Sequence, residues 1–189
     1  AEITVYKGAS FTDPGATASD NYDGDFVVVG SSQKFPQDGL VLHLDASTIG
    51  GKFDGDSITL WYDQSPTKNH AEIHKGTPTY AAGAINGRPA IYFDGSSTLA
   101  VSKPVGTKYT ILTVSSLAAK PHGRLISSLD QNWLLGYDGG NIDCFHPGNG
   151  WAAPKVVPSA PGPHLYSATS GDRTVRFFAD GVDKTAISA

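Results

Sequence analysis

The chain has 189 residues, is 39% hydrophobic and carries a formal net charge of -4, which suits one globular domain with at most a small appendage. No apolar run approaches the ~20 residues that cross a bilayer, and no Lys/Arg cluster offers a stripe for phosphates. Membrane-spanning and nucleic-acid-binding functions are therefore set aside.

All acidic residues except Glu2 and Glu72 are Asp, and Met is absent. Asp favours turns and cation sites, whereas Glu and Met favour helices, so the composition points to strands and loops. Short apolar or alternating runs follow one another in chain order: Ile3–Tyr6, Phe26–Val29, Leu40–Leu44, Ile58–Trp61, Ala90–Phe93, Thr110–Val114, Leu125–Ser128, Trp133–Tyr137, Leu165–Ala168 and Thr174–Ala179. Their lengths are those of strands. Between them stand the turn dipeptides Asp23-Gly24, Asp38-Gly39, Asn86-Gly87, Asp94-Gly95 and Asp180-Gly181. The expectation is an all-β protein, a sandwich or jelly roll of antiparallel sheets.

Two stretches are irregular. Ser47–Asp56 is rich in Gly and Asp, and residues 144–164 carry five prolines and three glycines. The second reads as a long loop, and loops of that length are often functional. A polar stretch with Pro36 suggests a boundary between residues 1–34 and 35–189.

Seven motifs follow from Leu40 onward. They are L-V-L-H-L-D-A-S at Leu40–Ser47, W-Y-D-Q-S at Trp61–Ser65, K-N-H-A at Lys68–Ala71 and N-G-R-P-A-I-Y-F-D-G at Asn86–Gly95. Y-T-I-L-T-V at Tyr109–Val114, N-W-L-L-G at Asn132–Gly136 and R-F-F-A-D-G at Arg176–Gly181 complete the set. In this order they resemble the laminin G-like, concanavalin A-like jelly-roll superfamily. The run G-A-S-F-T-D-P-G-A-T-A-S-D-N-Y-D-G-D at Gly8–Asp25 resembles the opening of immunoglobulin-like repeats on bacterial surface proteins. The resemblances are partial at both ends. They fit a piece of a longer polypeptide, a jelly roll completed by residues 1–34, or one completed by a strand from a neighbouring chain.

The resemblance implies an extracellular or cell-surface module but specifies no function, since this fold serves many. Glucanases of the superfamily carry E-x-D-x-E on one strand face, with one carboxylate as acid and one as nucleophile. Glu2 and Glu72 stand in no such context, and there is no G-x-S-x-G elbow. Cys144, the single cysteine, reads as a residue at a strand end, with His146 too local to mark a catalytic pair. A chain without catalytic activity is expected, with glycoside hydrolysis as the third reading.

Asp20, Asn21, Asp23 and Asp25 place three carboxylates and an amide within six residues around Gly24. This density of hard oxygen ligands suits Ca²⁺, and the same residues equally suit an Asx-rich turn closing a hairpin. Asp54-Gly55-Asp56 is a weaker cation candidate. His70 and His74 lie near a strand, where residues i and i+4 are about 13 Å apart, too far for one zinc ion.

Sugars stack their CH faces on exposed aromatic rings, with polar neighbours holding the hydroxyls. Trp151, beside Asn149 and His146, is the leading candidate. Trp133 and Tyr137 share one strand face, which fits a binding surface or the core, while Trp61 is expected in the core. The expected partner is a polysaccharide or glycan. The alternative is a structural or adhesive building block joined to another protein chain through an open sheet edge.

Overall fold

The computed structural model describes the strands Ala16–Asp20 and Gly24–Val28 and residues 37–117, 124–153, 162–171 and 174–186. The chain divides into two units, Ala1–Gly39 and Leu40–Ala189. In the first unit β1 (Ala16–Asp20) and β2 (Gly24–Val28) form an antiparallel hairpin, with Asp20 opposite Gly24 and Ala16 opposite Val28. The expected strand Ile3–Tyr6 lies outside the described residues.

Among the described residues, the regular structure of the second unit is all β apart from one 3-10 turn at Ala46–Thr48. It contains β3 (Leu60–Trp61), β4 (Ala71–Lys75), β5 (Thr79–Ile85), β6 (Arg88–Tyr92), β7 (Thr98–Val101) and β8 (Tyr109–Ser116). After these come β9 (Ile126–Ser127), β10 (Trp133–Asp138), β11 (Asn141–Pro147), β12 (Pro163–Ser170), β13 (Val175–Ala179) and β14 (Val182–Asp183). Every strand pair described is antiparallel. Asn86-Gly87 closes the β5–β6 hairpin and Asp180-Gly181 the β13–β14 hairpin. All four residues have positive φ, the conformation that a two-residue hairpin turn needs to match strand twist.

Two sheets build the main core. One has the order β11-β10-β9, the other β14-β13-β12-β8. Leu135, Tyr137, Ile142 and Phe145 from the first meet Tyr166, Ala168, Phe177 and Ala179 from the second, with Ala152 and Ala153 beside them. This is a β-sandwich arrangement. Edge-to-face, tilted and stacked ring contacts run through it from Trp133 to Phe145, Phe177, Tyr166 and Tyr137, with centroids 5.6–6.0 Å apart. Burying each large side chain contributes roughly 1.5–3 kcal/mol. The remaining sheets are β3-β4-β7 and the β5-β6 hairpin.

Two local expectations change. Leu40–Leu44 forms no strand; only Leu44 makes a bridge, to Asp63. The reason is that the His43 N–H donates to the Asp63 carboxylate and the Val41 carbonyl accepts from the Thr67 hydroxyl. Side chains thus take backbone groups that a ladder would use. The stretch expected as a loop from 144 begins instead as strand β11, and it ends in β12 from Pro163. Cys144 is fully buried inside β11, its thiol donating to the Ile142 carbonyl.

Candidate functional site

The β10–β11 hairpin turns through Gly139 and Gly140, both at positive φ. It sets Trp133 opposite Pro147, Leu134 opposite His146 and Leu135 opposite Phe145. Side chains alternate between faces. Trp133, Leu135 and Phe145 therefore turn toward the core between the sheets, and Leu134, Cys144 and His146 turn the other way. Near the hairpin end the register shifts, and Asp143 takes a φ of 55°.

Past Pro147 the chain reverses through Gly148 and Gly150, whose φ values of 111° and 135° suit glycine. The return is fastened by Ala152 N–H donating to the Phe145 carbonyl at 2.9 Å and by a bridge between Phe145 and Ala153. Trp151 is carried back over His146, with ring centroids 5.1 Å apart and planes inclined by 84°. Gly148 N–H donates to His146 Nδ1 at 3.2 Å, so the proton of the neutral imidazole sits on Nε2. His146 is buried, Asn149 is exposed, and Trp151 keeps 36% of its surface in solvent. The loop thus presents one anchored aromatic ring beside an exposed amide.

Trp133 and Tyr137 are placed elsewhere. Trp133 packs against the core and donates its indole N–H to the Tyr109 hydroxyl at 2.7 Å. Tyr137 is buried, with its hydroxyl 2.7 Å from the Ser115 hydroxyl. Both polar groups are satisfied inside the sandwich, on the face opposite His146. Trp61 is partly buried, and its indole N–H has no hydrogen-bond partner among the described residues.

Among the acidic candidates, Asp20 and Asp25 lie at the turn end of the first hairpin, where Asp25 faces Ser19 across the ladder. Asn21 and Asp23 lie outside the described residues. Asp54 accepts from Ala82 N–H and Asp56 from Phe53 N–H, both at 2.8 Å, so these carboxylates brace the loop backbone. Among the described residues no three His, Cys, Asp or Glu side chains converge as a metal set would. His70 accepts at Nδ1 from Asp63 N–H at 3.0 Å, while His74 stands exposed on β4.

Asp63 is a strongly perturbed buried carboxylate. Its carboxylate accepts from the N–H groups of His43, Ser65 and Asn69 and from the Ser65 hydroxyl, at 2.6–2.8 Å. Burial alone would raise its pKa, but these donors outweigh that and hold the carboxyl well below the usual range. Its part is to lock the Val41–Asn69 turns together.

Phe53, Tyr62, Tyr92 and Phe93 are exposed aromatics that were not expected from the sequence. Tyr62 is 57% exposed and packs edge-on against His70 at 5.1 Å. The signal was available, because placing Trp61 inward turns its neighbour outward by strand alternation. Compared with protein families, curated proteins and solved structures, the chain matches no family model, no curated protein and no solved structure.

Proposed function

We propose that the chain is a non-catalytic, extracellular carbohydrate-binding module of the laminin G-like jelly-roll kind, which binds a glycan at the Gly148–Trp151 loop. One observation carries this reading: the Trp151 indole is braced by His146 yet keeps a solvent-exposed surface beside Asn149. A ring already held in place loses little freedom when a pyranose stacks on it. The Asn149 amide is suited to hydrogen-bond the sugar hydroxyls, and His146 acts by positioning the ring. In the same proposal the Asp20–Asp25 turn takes a structural Ca²⁺.

The test is a glycan array probed with the wild-type chain and with Trp151→Ala. Binding that is lost in the variant, with the thermal melt unchanged, supports the site. Binding that is equal in both, or absent from the wild type, overturns it. For the ion, excess Ca²⁺ should raise the melting temperature over that in EDTA by mass action, and coincident melts would remove Ca²⁺ from the proposal.

A further inference from the structure

Strand β8 closes one side of the four-stranded sheet, and among the described residues no strand pairs its other edge. Its eight residues run against β12 from Ser116 opposite Pro163 to Tyr109 opposite Ser170 without a register shift. Natural edge strands are protected by charges, prolines, bulges or shortness. Y-T-I-L-T-V-S-S has no charge, no proline and no bulge, and it is longer than most strands. Alternate backbone N–H and C=O groups along it point away from β12.

The outer face of the same edge is apolar. Leu112 is 62% exposed and Val114 56%, and Leu165, which stands opposite Val114 on β12, is 43% exposed. The row therefore continues from the edge into the sheet. On a chain with a net charge of -4, this uncharged strip is where two copies approach with least repulsion.

We propose that β8 pairs antiparallel with β8 of a second copy of this chain about a two-fold axis at Thr113. Directly opposite residues must share a sheet face. A two-fold at Thr113 meets that condition: Leu112 of one copy lies opposite Val114 of the other, Ile111 opposite Ser115, and Thr110 opposite Ser116. The pairing satisfies the open backbone groups, extends the sheet through both copies and joins the two apolar rows into one stripe. The interface is isologous, so it closes at two copies. It goes beyond the glycan-binding reading and uses a different face from the Trp151 loop.

Sedimentation equilibrium of the full chain, from micromolar to millimolar concentration, tests the proposal. A monomer–dimer equilibrium is expected. A monomer throughout, or open-ended association, overturns it. Leu112→Lys/Val114→Lys sets like charges at facing positions and should weaken the dimer by about 100-fold. Leu112→Lys/Val114→Glu sets opposite charges there and should restore most of the loss. A dimer that survives the first variant, or that the second fails to restore, overturns the Thr113-centred pairing. Both positions face solvent, so folding is expected to be kept, with a thermal melt as control. Glycan binding measured on the same variants is expected to be unchanged, which separates failure of the dimer from failure of the sugar site.

Discussion

Trp133 donates its indole N–H to the hydroxyl of Tyr109 at 2.7 Å, while the two rings meet edge to face at 5.7 Å. The bond crosses from one sheet of the sandwich to the other. It explains why an aromatic residue with a polar handle can serve as packing on this face.

Tyr109→Phe keeps the ring and removes the acceptor. It is expected to destabilise the fold by about 1 kcal/mol, the cost of leaving a half-buried donor unpaired. Urea denaturation would read this as a lower midpoint with an unchanged slope. Combined with Trp133→Phe, the cost should fall well short of the two single costs added, because the pair shares one bond.

Asp63 makes stability depend on acid. Its folded pKa is depressed, so its contribution is present above the unfolded value of about 4 and is lost as pH falls from there. Asp63→Asn removes charge-assisted bonds and is expected to cost about 3 kcal/mol at neutral pH. It should also flatten the acid limb of a plot of stability against pH. An unchanged acid limb would show that other carboxylates carry it.

The buried phenols act at the other end of the scale. Burial raises the pKa of Tyr109, Tyr137 and Tyr166, against smaller lowering by their hydrogen bonds. Above pH about 10 the unfolded chain releases these protons while the folded chain retains them. Stability should therefore fall as pH rises beyond that point. Phenolate absorbance should show some of the eight tyrosines titrating only when the protein unfolds.

Gly136 sits on β10 with a φ of 100°, and a Cβ there would lie 2.6 Å from Leu125 Cδ2 and 2.8 Å from Leu125 Cβ. Gly136→Ala is expected to cost about 3 kcal/mol from backbone strain and overlap together. Leu125→Ala in the same chain removes the Cδ2 contact but keeps Cβ, so it should recover only part of the overlap cost and leave the strain. A double variant no better than the worse single one would mean that overlap contributes little.

Much of the strand order was readable because alternation and turn chemistry are local. The turns after β5 and β13 follow from Asn86-Gly87 and Asp180-Gly181, whose residues accept the positive φ that such turns require, although β5 and β14 themselves were not expected. Strand β11 was hidden for a physical reason: Ile142, Cys144, Phe145 and His146 are all buried, so both faces are covered and no polar alternation appears. Prolines and glycines downstream then made the whole region read as loop. The clustering of His146, Asn149 and Trp151 was visible from their closeness in sequence, but the exposed row on β8 was not. Ile111, Leu112 and Val114 are all apolar, and no pattern within the strand tells which face lacks a cover.

By itself the sequence determined the all-β character, eight of the fourteen described strands and the parity of side chains along those. Tertiary structure decided which parity faces a neighbouring sheet. Trp133 and Trp151 are the same residue type only 18 positions apart. One is enclosed because β8, distant along the chain, brings Tyr109 to it. The other stays in solvent because Gly148 and Gly150 fold it back over His146. Backbone propensity acts over a few residues, whereas burial depends on contacts that form only once distant segments have packed.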